Sequence, residues 1–212
     1  MTHASATPVT FVVTDIETDG HSPLRNSMLS FASVAMTYDG TVVDEFESVL
    51  ERRESRAPDP ATSKWWEGFP EAYRAATTNP KPVRSEILRY VGWVESLPNE
   101  KVFCAAPIMF DGPWMDHYLD SFAHTRALGG PFNGQRQLFR GGGVCLYTMA
   151  GTLRGEDYLN WGMQRVPLEW YGDVPHTHKA IDDARGFANV LTKLFELNSR
   201  LPKQESTTGS YS

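Results

Sequence analysis

The stretch VTFVVTDIETDG, residues 9–20, begins as a run of β-branched and aromatic residues and ends in closely spaced acidic residues. A run of this composition is typical of a β-strand. Residues two positions apart on a strand point to the same face, so Asp15 and Glu17 are predicted to lie side by side near the end of the strand. An isolated pair of this kind is usually a surface pair, so its meaning depends on the acidic residues elsewhere in the chain.

The segments that follow predict an α/β fold. Two more β-rich runs, 28–38 and 41–50, are separated by Asp39-Gly40, a strong hairpin-turn signal. Three antiparallel strands followed by alternating helices and strands favour a mixed sheet flanked by helices. The further predicted elements are helical segments in 60–78 and 82–97, a buried strand at 101–106, a helix after Asp111, a Gly-rich loop at 129–143, shorter helical pieces in 144–165 and a last helix at about 179–199.

Composition is that of one soluble domain. The chain has 212 residues, 41% of them hydrophobic, and a formal net charge of −6, which argues against a protein that coats duplex DNA by charge alone. No apolar run approaches the roughly 20 residues needed to span a membrane, and no secretory signal is evident. We expect flexible tails at 1–8 and 201–212, a single domain at 9–200, a cytoplasmic location, and buried free thiols at Cys104 and Cys145.

The segment HTHKAIDDA, residues 176–184, adds a second acidic pair at the start of the last helix. At 100° per residue, Asp183 lies at the edge of the apolar stripe of this helix, whereas Asp182 lies on the opposite face. Asp183 is therefore predicted to face the protein body and Asp182 to face water. His178 can join Asp183 only if it precedes the helix. Asp111 follows the strand at 101–106, although a helix N-cap is an alternative role for it.

Four carboxylates that converge at one end of a sheet would repel each other and raise each other's pKa. Divalent cations with a preference for oxygen, Mg²⁺ or Mn²⁺, remove this repulsion. Two such ions stabilise the attacking and leaving oxygens of a phosphodiester displacement, and a nearby histidine can deprotonate the attacking water.

Three motifs, DIETDG, FDGPW and HKAIDDA, resemble those of the DEDDh 3′–5′ exonucleases, which include polymerase proofreading subunits, RNase T and oligoribonuclease. The resemblance covers about residues 9–199. It implies a ribonuclease H-like five-stranded mixed sheet and two-metal hydrolysis that releases 5′-mononucleotides from the 3′ end of single-stranded RNA or DNA. It also makes a homodimer consistent with the family. The roles it implies are metal ligation by Asp15, Glu17, Asp111 and Asp183, with Asp15 bridging, general base for His178, and substrate contact for Thr18.

Two features distinguish this sequence from many members of that family. Ala106 and Pro107 stand where relatives carry an Asn before the second motif, so the substrate contacts of that Asn are in doubt here. The segment 60–72, PATSKWWEGFPEA, is similar to a T-x-x-W-W segment of RNase AS-like exoribonucleases, which favours RNA over DNA. Within this segment we expect Trp66 to contact the substrate.

Two other functions are compatible with parts of the pattern. A proofreading or accessory subunit of a larger assembly would carry the same motifs. A metal-dependent phosphatase with an aspartyl nucleophile also uses an early acidic pair and a late Asp-Asp pair. Such a phosphatase normally has Asp at the second position and does not need His178, so Glu17 counts against it.

Overall fold

The computed structural model describes residues 8–129, 136–157 and 166–201. Of the two predicted tails, only Pro8 and Leu201 fall within these ranges, so the tail prediction lies outside the described residues. The same holds for part of the predicted Gly-rich loop and for the later part of the helical pieces expected in 144–165.

Five strands form one mixed sheet in the spatial order β3-β2-β1-β4-β5. The first three strands are antiparallel neighbours, while β4 and β5 run parallel to β1, which confirms the predicted sheet. Strand β5 was not predicted at its position, because two residues are too few to show a period. Its Cys145 is only half-buried, which corrects the expectation of a buried thiol, whereas Cys104 is fully buried. The strands are β1 (Val9–Thr18), β2 (Met28–Met36), β3 (Val42–Val49), β4 (Glu100–Ala105) and β5 (Val144–Cys145).

In the part of the chain that the structure describes, six α-helices and a short 3₁₀ turn at Leu168–Tyr171 surround the sheet. The predicted helical segment 60–78 is two helices, separated by residues 67–69. No helix in the described part of the chain has the length and apolar character that a membrane span requires. The helices are α1 (Pro60–Trp66), α2 (Pro70–Thr77), α3 (Val83–Ser96), α4 (Ile108–Ala123), α5 (Leu146–Leu153) and α6 (Ala180–Ser199).

Alternating residues of the central strands divide the core into two layers. Val12 belongs to the cluster that β1 forms with α3 and α4, whereas its neighbour Val13 belongs to the cluster with α5 and α6. Phe103 and Cys104 of β4 divide in the same way. This period of two decides which helix each side chain of β1 meets.

Truncation of the core on the α3 side is expected to destabilise the protein strongly. Phe31 is fully buried, with ring centroids 5.6 Å from Phe46 and 5.2 Å from Tyr90. Phe31→Ala should lower the free energy of unfolding by about 3–5 kcal/mol, the usual cost of such a cavity. Leu88→Ala, on α3 but 45% exposed, should change it by no more than about 0.5 kcal/mol. Urea denaturation measures both, and equal losses would contradict this description of the core.

Candidate active site

The odd-numbered residues of β1 present the first two carboxylates to the α6 side of the sheet. Phe11 and Val13 pack in the α5–α6 layer, and the same alternation continues to Asp15 and Glu17. Both carboxylates line one cavity of about 720 Å³. Asp15 is half-buried and Glu17 is 7% exposed.

Helix α6 supplies the third carboxylate. Asp183 is 3% exposed, and one carboxylate oxygen from each of Asp15, Glu17 and Asp183 lies within 4.8 Å of the others. Asp182 does not line the cavity. Its side chain is 26% exposed and accepts a hydrogen bond from Thr177 Oγ1 at 2.8 Å, so it also holds the preceding loop and does not simply face water.

Asp111 completes the set from the opposite layer. Helix α4 begins at Ile108, so Asp111 lies inside its first turn and is not an N-cap, which corrects that alternative and the predicted start of the helix. Gly112-Pro113 resembles a helix start in the sequence, but this proline lies within α4 and does not mark its start. Asp111 is 3% exposed and lines the same cavity as the other three carboxylates.

Burial raises the pKa of three carboxyl groups in this cluster, with mutual repulsion adding to it for two of them, and so disfavours their ionised forms. The pKa of Asp15 is raised, first by burial and then by Glu17 and the other two carboxylates. Burial likewise raises the pKa of Glu17, with repulsion from Asp183 and Asp111 adding to it. For Asp111, burial raises the pKa to about 8, although backbone hydrogen bonds from Ile16 and from Asp111 itself oppose the change. Repulsion was expected from the sequence, but burial is the larger cause.

The donor set suits hard divalent cations. The four carboxylates, three of them buried and Asp15 half-buried, offer only oxygen ligands, as Mg²⁺ and Mn²⁺ prefer. Within the ranges that the structure covers, no lysine or arginine forms an ion pair with any of the four carboxylates. Bound metal ions would remove the cost of holding these groups ionised. The four carboxylates are therefore suitable ligands for the divalent metal ions that the family resemblance implies.

His178 lies beside the cluster, in the loop before α6, as its predicted role requires. Its φ is +57°, an uncommon conformation for a residue with a side chain. The ring meets those of Trp65 and Phe69 edge-on, with centroids at 5.0 Å and 4.4 Å. Burial lowers the pKa of His178, and repulsion from His176 lowers it further, while Asp183 has the opposite effect. The imidazole is therefore neutral near pH 7 and able to accept a proton.

His176 also lies in the cavity wall, although no role was predicted for it. Its Nδ1 is 3.0 Å from Asp183 Oδ1, and its ring centroid is 4.5 Å from that of His178. The hydrogen bond with Asp183 raises the pKa of His176, although burial opposes this. The H-x-H spacing was the signal that could have identified it.

The aromatic pair of α1 divides between the cavity and the core. Trp65 lines the cavity and is 43% exposed, whereas Trp66 is 4% exposed and does not line it. The Trp66 indole donates a hydrogen bond to the Thr18 carbonyl at 3.0 Å. The structure thus places Trp65, and not the predicted Trp66, where a substrate could stack. Adjacent helical residues lie 100° apart, so only one of the two rings could face the cavity.

The turn after β1 positions Thr18 at the edge of the cavity. Thr18 Oγ1 donates to the carbonyl of Gly20 at 2.7 Å. A Cβ atom on Gly20 would lie 2.1 Å from Asn26 Cγ, so only glycine fits at this position of the motif. Asn26 in turn accepts from the backbone N–H of Ser22 and donates to the carbonyl of Ala57. The first motif therefore forms a fixed turn that leaves Thr18 facing the cavity.

Comparison with solved structures finds close matches of fold at low sequence identity. Exonuclease I of E. coli, in a zinc-bound complex with single-stranded DNA, superposes with a TM-score of 0.60 at 13% identity over 91% of this chain. The nuclease domain of 3′hExo, a DEDDh family member bound to rAMP, gives 0.62 at 9% identity and covers 97% of this chain and 100% of its own. A 3′-exonuclease that recognises a histone mRNA stem-loop gives 0.61 at 9% identity, covering 90% of this chain and 82% of its own.

The chain therefore shares its fold, a ribonuclease H-like mixed sheet, with these exonucleases. It spans only 41% of the length of exonuclease I, so it matches part of that chain. No protein-family model and no curated protein sequence matches it.

Proposed function

We propose that this protein is a divalent-metal-dependent 3′–5′ exonuclease that hydrolyses single-stranded nucleic acid to 5′-mononucleotides. The observation that carries this proposal is the convergence of Asp15, Glu17, Asp111 and Asp183 on one cavity, with His178 beside them. The fold that it shares with exonucleases supports it. A surface acidic pair would be exposed to water, whereas these carboxylates line a cavity beside His178 and form no ion pair with a lysine or arginine among the described residues.

In the proposed reaction, the carboxylates of Asp15, Glu17, Asp111 and Asp183 would hold two Mg²⁺ or Mn²⁺ ions. When bound, such ions activate the attacking water and stabilise the attacking and leaving oxygens of the phosphodiester. A ring nitrogen of His178 accepts the proton of the water, and the lowered pKa of this ring keeps it available as a base. Trp65 and Phe69 hold the ring in place through their edge-on contacts.

The cavity also has features that suit a terminal nucleotide. Thr18 lies at its edge, and the exposed face of Trp65 offers a surface for stacking by any base. The similarity of residues 60–72 to RNase AS-like exoribonucleases supports RNA as the favoured substrate. The solved relatives include complexes with single-stranded DNA, with rAMP and with an mRNA stem-loop.

Removal of the Trp65 ring should weaken substrate binding without abolishing catalysis. Stacking of a base on an aromatic ring contributes about 1–3 kcal/mol, so Trp65→Ala should raise KM by about 5- to 150-fold. Trp65→Phe keeps an aromatic face and should restore most of the affinity. Steady-state kinetics on a short oligonucleotide measures both variants. An unchanged KM for Trp65→Ala would exclude the ring from the substrate site.

Substrate class and metal dependence are tested together by digestion of single-stranded RNA and DNA of one sequence with Mg²⁺, with Mn²⁺ and with EDTA. We expect shortening only with metal, and faster for RNA. Equal or faster digestion of DNA would overturn the RNA preference alone. Failure to cleave either polymer with any metal would overturn the proposed function, and accompanying hydrolysis of small phosphomonoesters would support the phosphatase instead.

Membership of a larger assembly, a homodimer and a cytoplasmic location stay predictions. Light scattering of the purified chain would report its mass in solution and so decide between monomer and dimer.

A further inference from the structure

The loop before α6 brings two histidines and one carboxylate together on the rim of the cavity. One nitrogen from each of His176 and His178 and one oxygen of Asp183 all lie within 4.8 Å of one another. Ligand atoms of a tetrahedral zinc site lie roughly 3.3 Å apart, given Zn–N distances of about 2.0–2.1 Å. The three side chains would therefore need to approach each other by no more than about 1.5 Å to share one ion.

Hydrogen bonds to the first turn of α6 already hold this loop in the conformation that brings the three side chains together. Thr177, between the two histidines, donates its N–H to Asp183 Oδ1 at 3.1 Å and its hydroxyl to Asp182 at 2.8 Å. His176 Nδ1 lies 3.0 Å from the same Oδ1. These contacts anchor the H-T-H segment to the first turn of α6, so little ordering of the backbone would be required on binding an ion.

The chemistry of this donor set differs from that of the carboxylate cluster. Two imidazoles and one carboxylate suit Zn²⁺ and similar transition metals, whereas Mg²⁺ prefers oxygen ligands alone. Three protein ligands leave a fourth position for water, as in open zinc sites. His176 is half exposed, with its side chain at 50%, so an ion can reach it from solvent.

We propose that His176, His178 and Asp183 form a regulatory transition-metal site, at which Zn²⁺ inhibits the enzyme. A zinc ion bound there would take the lone pair with which His178 accepts a proton from water. On binding through Nδ1, His176 would carry its remaining ring proton on Nε2. The metal site itself stands without the proposed function, whereas inhibition rests on it.

Zinc affinity is the direct test, because it requires no activity. Protein stripped with a chelator is titrated with zinc sulfate in competition with a chromophoric zinc indicator. We expect His176→Gln and His176→Ala to weaken zinc binding at least about tenfold, since even indirect partners of a metal site contribute about 10- to 100-fold. The matched control is His21→Gln, on the same cavity but 75% exposed, which should change the affinity by less than about threefold. Thermal unfolding shows that each variant is folded.

Inhibition is measured in parallel as the zinc concentration that halves Mn²⁺-supported digestion, relative to the zinc-free rate of each protein. His176→Gln should raise this concentration at least tenfold. Wild-type protein that binds no zinc, or binds it as tightly as both His176 variants, would overturn the site. Zinc binding as expected, but with equal inhibition of wild type and variant, would overturn the regulatory role. Zinc binding as expected in a protein without nuclease activity would overturn only the proposed function.

Discussion

Asp183→Asn is expected to lower kcat by about 10³-fold or more, whereas Asp182→Asn should change it by less than about threefold. Metal ions that stabilise transition-state charge contribute several kcal/mol, and each 1.36 kcal/mol is a factor of ten in rate. Loss of one carboxylate charge from a cluster that binds two ions should forfeit most of that contribution. A polar substitution at a position outside the core and the metal cluster, such as Asp182, usually changes a free energy by no more than about 0.5 kcal/mol.

The two aspartates form a matched pair because they are adjacent on one helix turn and differ in what they face. Asp183 is buried in the cavity wall, within 4.8 Å of Asp15 and Glu17. Asp182 does not line the cavity, and it accepts a hydrogen bond from Thr177, which asparagine can retain through its amide oxygen. Single-turnover digestion with saturating Mn²⁺ reports the chemical step for both. Comparable losses of kcat in the two variants would contradict the assignment of Asp183, and not Asp182, as a metal ligand.

His178→Ala is expected to reduce kcat by about 10²- to 10⁴-fold, the usual contribution of a general base. Mn²⁺ affinity should change little, because the four carboxylates remain. The reduction should be smaller at high pH, where hydroxide replaces the attacking water and its proton no longer has to be removed. Calorimetric titration with Mn²⁺ and a kcat profile against pH measure the two effects.

His124→Asn is the control for this histidine. His124 is exposed at the C-terminal cap of α4 with a φ of +52°, a conformation that asparagine tolerates. Its kcat should remain within about threefold of wild type. An active His178→Ala protein with normal Mn²⁺ binding would exclude the ring as the base. Loss of Mn²⁺ binding in that variant would make His178 a contributor to the metal site instead.

Much of the site follows from local geometry and could therefore be predicted from the sequence. The period of two along β1 places Asp15 and Glu17 on the face that α6 covers, and the 100° step of a helix turns Asp183 toward that face. The same 100° step predicts that His178 precedes α6, because a helical residue at position 178 would point away from Asp183. These features require only a strand, a helix and their hydrophobic faces.

Features that depend on tertiary contacts were not predicted correctly. The first turn of α4 starts before Asp111, although Gly112-Pro113 resembles a helix start. The division between Trp65 and Trp66 depends on where α1 packs against the turn that contains Thr18. The short strand β5 forms only because β4 offers it a parallel edge. Such features depend on packing and strand pairing with residues distant in the sequence, and local periodicity carries no information about these contacts.

The most direct test of a two-metal 3′–5′ exonuclease is a time course with one single-stranded RNA labelled at either its 3′ or its 5′ end. With Mn²⁺, the 3′ label should appear first in a 5′-mononucleotide, while the 5′-labelled strand shortens one nucleotide at a time, and EDTA should stop both. Early release of the 5′ label, internal cleavage, or shortening that persists in EDTA would contradict the mechanism assigned to Asp15, Glu17, Asp111, Asp183 and His178.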